Sequence, residues 1–317
     1  MRLSMTHSSR PPAPHGFRNQ PRDKRQSRGR YLLEYLLFLT LAGLTRVLPR
    51  VTALRLGGKL GELARLTQKK RVATATDNLR RAYPEKSSEE IKADVRAVFR
   101  HLGVSAVEML RLDLFRGQAD VDRYFTLVGM EHLHQAHAMG KGVLLLTGHI
   151  GFWEVGTFLI PQLGFPVDFV AKRMKNPYVD RYFERLREAA GGRCIESKKG
   201  ARRILRALKQ KHMIAVLLDQ HISRSEAVPV DFFGRKAWTT PIITQLAMKQ
   251  GIPIVPIYSY RTEDFHYEII AQPPILFADE PGAETVIHNT AHLTANIEAA
   301  VRRAPTQWFW VHRRWRD

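Results

Sequence analysis

His149 and Glu154 are the two residues whose types and spacing could do chemistry. They stand five apart in Val143–Gly156, VLLLTGHIGFWEVG. An imidazole beside a carboxylate can draw a proton from an alcohol. The carboxylate fixes the tautomer, and the far ring nitrogen accepts the proton. Residues five apart lie roughly 140° apart around a helix, so the pair cannot share one helical face. The spacing predicts a strand over Val143–Thr147, a turn carrying His149, and Glu154 reaching back from the first turn of the next helix. Gly148 and Gly151 allow a tight turn and a close approach of backbone to substrate. Free amides at the helix start would receive negative charge. Taken alone, such a pair is more often a turn histidine and a helix-start carboxylate. The strand, the glycines and Trp153 turn the reading toward general-base catalysis.

The elements around this motif predict an α/β fold. Strands are expected at Val143–Thr147, Val167–Ala171, Arg193–Ile195, Ile214–Leu218, Ile254–Tyr260 and His266–Ala271. Helices are expected at Met130–Met139, Trp153–Gln162, Pro177–Ala190, Ala201–Gln210, Pro241–Gln250 and Thr285–Arg302. Such alternation makes a mixed, largely parallel central sheet flanked by helices. Before it, residues 51–127 read as helical: a basic helix over Val51–Arg81, then one capped by Ser87 or Ser88 that runs to about Leu112. The α/β part is expected over residues 128–317.

Ligands in such sheets sit beyond the carboxyl ends of the strands. Three strand ends carry polar residues. One is His149. The second is Lys172–Pro177, where Asn176 and Pro177 form a helix start and Arg173 is a cation suited to a phosphate or an oxyanion. The third is Asp219–Gln220, where a carboxylate ending a buried strand needs a partner. Asp231, in VPVDFFG, is a weaker candidate; Phe232 and Phe233 beside it suit the core better than an acyl-chain wall. The end, TQWFWVHRRWRD, mixes tryptophans and arginines, which suits single-stranded nucleic acid, a membrane interface or sheet packing.

Composition bounds the partners. The 317 residues carry 50 Lys and Arg against 30 Asp and Glu, a formal charge of +20. Such a field favours nucleic acid, anionic lipid or an acidic protein. The lone cysteine, Cys194, rules out an internal disulfide and reads as an inert thiol. Residues 1–30 hold eight basic residues and one acidic one, and read as a disordered tail on an anionic membrane face. Residues 31–50 hold the most apolar stretch, Leu32–Val47, short for a full span of about 20 residues. With the basic tail before it, this is expected to be a hydrophobic membrane-anchor helix; a buried core helix is the alternative. No metal is expected: H-E-x-x-H and any Cys cluster are missing, and His132, His134 and His137 sit in an ordinary amphipathic helix.

Four stretches taken together resemble the late acyltransferases of bacterial lipid A biosynthesis, of the lauroyl and myristoyl type, within the lysophospholipid acyltransferase superfamily. GHIGFWE matches the superfamily's His-x4-acid motif at His149 and Glu154. KRMKNPYVD resembles the family's Arg-x-x-Asn-Pro-x-x-Asp segment at Arg173, Asn176, Pro177 and Asp180. LLDQ followed by VPVDFFGRKAWTT, and PTQWFWVHRRW near the end, complete the ordered set. The resemblance runs from about Leu32 to Trp315 and implies an acyltransferase domain over residues 51–317. It implies an acyl chain carried as a thioester on acyl carrier protein. It also implies an anionic glycolipid acceptor, at the cytoplasmic side of the inner membrane. No cofactor and no nucleic acid are implied. In that chemistry His149, held by Glu154, deprotonates the acceptor hydroxyl. Arg173 and amides around Gly148 are the oxyanion candidates, with Asn176 and Asp180 nearby. Asp219 and Asp231 remain weaker candidates. Another glycolipid or lysophospholipid as acceptor, a nucleic-acid-binding protein and a metal hydrolase are the competing readings.

Overall fold

The structure is a computed structural model that describes residues 24–171, 173–196, 200–280 and 282–316. The chain opens with four helices: α1 (Lys24–Val47), α2 (Arg50–Thr67), α3 (Lys69–Ala82) and α4 (Ser88–Leu110). The single helix expected over Val51–Arg81 breaks at Gln68 into two. Ser87 caps α4 reciprocally with Glu90, as the Ser-x-x-Glu spacing requires. α2 and α4 meet backbone to backbone. A Cβ on Gly61 would collide with the Phe99 carbonyl, and one on Gly103 with that of Gly57.

α1 begins seven residues inside the stretch expected to be a disordered tail; the rest of that tail lies outside the described residues. α1 is not a core helix. Leu33, Leu36, Leu37, Leu44 and Val47 are exposed, while Phe38 and Tyr35 pack on aromatic residues of the later helix α8 (Pro177–Ala189). Among the described residues, no helix is long and apolar enough to cross a membrane. The charged residues Glu34 and Arg46 flank too short an apolar run for that.

Seven strands form one sheet: β1 (Phe125–Val128), β2 (Val143–Thr147), β3 (Val167–Ala171), β4 (Arg193–Glu196), β5 (Met213–Leu217), β8 (Ile254–Arg261) and β9 (Tyr267–Ala271). Their order is β1-β9-β8-β2-β5-β3-β4, parallel throughout except between β8 and β9. A separate hairpin joins β6 (Val228–Phe232) to β7 (Arg235–Thr239). The remaining helices are α5 (Gln118–Tyr124), α6 (Glu131–Ala138), α7 (Gly156–Gln162), α9 (Gly200–Lys209), α10 (Ile242–Gln250) and α11 (Ala283–Arg303). The expected mixed, largely parallel sheet is thus present. β1 and the hairpin are additions: β1 is a four-residue edge strand with too little alternation to read.

The helical third is tied to the sheet by a buried polar network. Glu108 of α4 accepts from Arg261 at the end of β8 and from the Tyr267 hydroxyl at 2.8 Å. Arg261 also contacts His101 and Ser105 of α4. Here burial alone would push the His101 imidazole well down, and Arg261 adds to it, so the ring is neutral and accepts.

Candidate active site

β2 lies at the centre of the sheet, and four of its five residues, Val143–Leu146, are fully buried, as a parallel strand covered on both faces must be. The chain leaves it through Thr147 and Gly148 and turns at His149. Gly151 takes φ +57°, and a Cβ there would collide with the Ser259 carbonyl of β8. Gly151→Ala should cost about 1–3 kcal/mol, read from urea unfolding, because both the backbone and its neighbour must shift.

The partner of His149 is Asp219. This aspartate follows β5, which pairs with β2 through Thr147–Leu217, so the two strand ends emerge side by side. Asp219 Oδ1 lies 2.8 Å from His149 Nδ1. Its Oδ2 accepts from the His149 amide at 2.7 Å and from the Trp308 indole at 2.7 Å. Asp219 is 2 % exposed. Burial would raise its pKa, but the imidazole and these donors outweigh burial and hold it at about 2. An ionised carboxylate can only accept, so Nδ1 carries the ring proton and Nε2 presents a lone pair. The Gln220 side-chain nitrogen sits 3.3 Å from that Nε2. For His149 itself, burial pushes the pKa down, while Asp219 and the more distant Glu154 push it up; the net direction is above 6.5.

Glu154 does not hold His149. Both its oxygens are taken by Arg187 of α8, at 2.9 and 2.7 Å. The reason is local: Trp153–Val155 forms a short 3₁₀ turn before α7, which aims Glu154 at α8. A bidentate guanidinium is the stronger partner for a half-buried carboxylate. Trp153 and Phe309 flank the imidazole, with ring centroids 5.2 and 5.7 Å away.

The other expected site residues divide. Gly148 packs against the Asp219 carboxylate, where a Cβ would sit 3.3 Å from Oδ2. The amides of His149, Ile150 and Gly151 are already bonded, to Asp219, Gly148 and Gln307, so these three are not free to receive an oxyanion. Asn176 is a cap and a tie: its oxygen accepts from Tyr178 and Val179, and its nitrogen donates to Tyr31 and Glu34 of α1. That leaves it nothing for substrate. Arg173 and Asp180 line a neighbouring polar cavity, not the one at His149. Asp180 also accepts from the Met174 amide. Asp231 is exposed and closes the β6–β7 turn by accepting from Gly234, away from the site. Phe232 and Phe233 are core residues stacked among Trp308, Trp310 and Trp315. Trp308 and Trp310 are equally buried, which removes them as platforms for stacked bases. Burial raises the half-buried Cys194 thiol, against a role as nucleophile.

Asp219 was legible as a buried strand-end carboxylate in need of a partner. Gln220 stood beside it. Arg187 and Trp308 carried no local signal, because α8 and the C-terminal segment reach the site only through the fold. His149, Trp153, Glu154, Arg187 and Gln220 share one cavity of about 790 Å³. Among the described residues, no three His, Cys, Asp or Glu side chains converge as metal ligands would.

A buried, carboxylate-held imidazole whose unprotonated nitrogen faces a cavity can remove a proton from a hydroxyl once that hydroxyl displaces the Gln220 amide from it. Comparison with known proteins gives this chemistry a setting. Residues 22–317 match the family model described as bacterial lipid A biosynthesis acyltransferase. The lipid A biosynthesis lauroyltransferase of Escherichia coli strain K12 is 28 % identical, over 85 % of this chain and 87 % of that protein. The lipid A biosynthesis acyltransferase of Haemophilus influenzae is 25 % identical, over 81 % of this chain and 79 % of that protein. A phosphatidylinositol mannoside acyltransferase of Mycolicibacterium smegmatis is 24 % identical, over 60 % of this chain and 62 % of its own. The match across nearly the whole chain places it in the bacterial lipid A biosynthesis acyltransferase family.

Proposed function

We propose that this acyltransferase moves a fatty acyl chain from an acyl thioester, carried on acyl carrier protein, to a hydroxyl of a lipid A precursor, with His149 as general base. The observation that carries the mechanism is the Asp219–His149 pair, which turns the Nε2 lone pair toward a cavity, where only the Gln220 amide meets it among the described residues. Nε2 takes the hydroxyl proton as the oxygen attacks the thioester carbon. The tetrahedral oxyanion collapses, the carbon–sulfur bond breaks, and the leaving thiolate takes the proton from Nε2. The Gln220 amide, beside Nε2, is the nearest donor for the oxyanion. No acyl-enzyme is needed.

The charge of +20 suits an acidic carrier and a phosphorylated acceptor. α1 and α2 suit a membrane surface. Among the described residues, twelve of the sixteen exposed large apolar side chains lie on these two helices, from Leu32 to Leu66. Patches of that kind mark contact with lipid or protein. Arg55, Lys59 and Arg65 of α2 add cations for an anionic lipid face. The helices would lie on the cytoplasmic side of the inner membrane rather than cross it.

The test is mass spectrometry of the purified full chain incubated with C12–C16 acyl carrier protein and a tetra-acylated lipid A precursor. A gain of one acyl chain is the expected result. Gain only with another glycolipid would move the acceptor toward the mannoside-type relatives; no gain with any lipid hydroxyl would sink the reading. In the same assay kcat/KM should rise with pH through an apparent pKa above 6.5. The base works only when deprotonated, and Asp219 favours its protonated form. A limb below 6.5 would contradict His149 as the base.

A further inference from the structure

Asp219, Gln220 and His221 follow β5 in succession, and one distant segment holds all three. Asp219 accepts from the Trp308 indole at 2.7 Å. The Gln220 carbonyl accepts from Arg314 Nη1 at 3.3 Å. The His221 amide donates to His312 Nε2 at 3.1 Å. The same segment grips the other strand end of the site. Trp308 forms an antiparallel bridge with Ile150, and the Gly151 amide donates to the Gln307 carbonyl at 2.9 Å. Residues 307–314 therefore clasp both the turn that carries His149 and the loop that carries its partner. The clasp has its own anchor. Buried Asn78 of α3 donates to the carbonyls of Trp310 and His312, each at 2.8 Å.

Arg314 is an odd residue to find there, because its side chain is fully buried. Among the described residues its partners are neutral oxygens: the Gln220 carbonyl, the Trp238 carbonyl at 2.7 Å and the Thr239 hydroxyl of β7. Its Nε has no partner among them. Burial pushes its pKa down to about 10, and Asp219 is the charge that opposes the shift. A buried cation without a paired carboxylate is costly, and an apolar side chain of similar volume often holds a core as well. Stability alone therefore does not account for Arg314. What a guanidinium adds is a flat fork that ties two loops at once. Here Nη1 joins the loop after β5 to the carbonyl of Trp238 on β7.

The Gln220 carbonyl and the His221 amide belong to one peptide plane, which is thus held at both of its polar atoms. Burial pushes the His312 imidazole down to about 4, so near neutral pH it is uncharged and its Nε2 can accept. Gln220 is the residue that needs such a hold. Its side-chain nitrogen rests 3.3 Å from His149 Nε2. It has to leave when the acceptor hydroxyl arrives, and then meet the oxyanion. Both moves need a main chain that stays still. We infer that Arg314 and His312 are positioning residues: they fix the Gln220–His221 peptide, and the Gln220 side chain swings from the base to the oxyanion about that pivot. The inference rests on acyl transfer as proposed above.

The test measures kcat, acceptor KM and Tm on the full chain. Arg314→Lys keeps the charge but not the fork; His312→Phe keeps the ring but not the acceptor. Each should lower kcat about 30-fold and leave KM within about twofold. Gln220→Ala should lower kcat about 100-fold. Adding Arg314→Lys or His312→Phe to Gln220→Ala should lower it no further, because both act through Gln220. Trp315→Phe is the control: it loses a bond to the Phe232 carbonyl, away from the held peptide, and should keep the wild-type kcat. Hydrogen–deuterium exchange over residues 218–222 gives a reading that does not depend on turnover. It should quicken in Arg314→Lys and not in Trp315→Phe. Losses that multiply in the double variants would overturn the assignment, as would a wild-type kcat in Arg314→Lys. If Arg314→Lys does not fold, His312→Phe alone and with Gln220→Ala decides in the same way. A wild-type chain that transfers no acyl group, with exchange behaving as expected, would refute the enzyme reading and leave the held peptide standing.

Discussion

His149→Ala and Asp219→Asn should each lower acyl transfer by about 10⁴-fold, and the double variant should fall no further. The alanine removes the base. The asparagine keeps the shape but loses the charge that fixes the ring proton on Nδ1. An asparagine can offer Nδ1 either an acceptor or a donor, and the ring then spends time with its proton on Nε2, where it cannot act as a base. The carboxylate also stabilises the imidazolium that forms as the hydroxyl is attacked. Because Asp219 acts through His149, the two losses are one loss, and the double variant sits on the same floor. The pH profile separates this from a structural role. Without Asp219, burial is opposed only by the more distant Glu154, so any residual activity should show its acid limb at lower pH than wild type. A residual limb at the wild-type position would show that Asp219 only supports the turn. The same pair makes stability depend on pH. Asp219 is held at about 2, below its usual 3.8, so its contribution is present above 3.8 and lost as pH falls toward 2. His149 is raised, so its contribution is full below 6.5 and lost as pH climbs through the folded value.

Much of this site was legible from the chain because one strand and one turn encode it. Four apolar residues ending in Thr-Gly-His mark a buried strand and place His149 at its carboxyl end. Asn176-Pro177 marked the start of α8, and the Ser87–Glu90 box that of α4. The partner of His149 was harder. Spacing favoured Glu154, five residues away, over Asp219, seventy away, because local pairs are visible in sequence and strand neighbours are not. What decides between them is register: β5 lies beside β2, and Leu217 stands opposite Thr147. A carboxylate just past Leu217 must then emerge beside His149. Asn176 and Arg173 were read together from one segment, yet the fold separates them. The cap faces α1 and the arginine faces the polar cavity.

Glu154 is the residue for which motif and geometry disagree most, so its variants discriminate between them. If Glu154 orients the base, Glu154→Gln should fall to the floor set by Asp219→Asn. The geometry predicts otherwise: Glu154→Gln keeps transfer within about tenfold of wild type, because Arg187 neutralises Glu154 and screens its charge from His149. Its larger effect is on stability. The Arg187 and Glu154 side chains are each 18 % exposed, and the guanidinium lies over the Phe169 ring at 5.3 Å. Removing the carboxylate strands a largely buried cation between α8 and β3. Glu154→Ala should therefore cost about 3–5 kcal/mol in chemical denaturation. Arg187→Ala should cost a similar amount, by stranding the carboxylate instead. Glu154→Ala with Arg187→Ala should cost less than the sum of the two, since neither charge is then left alone, and that shortfall measures the pair. Strict additivity would mean that the two side chains act independently. A Glu154→Gln enzyme as slow as Asp219→Asn would return Glu154 to the catalytic dyad and demote Asp219 to a support of the turn.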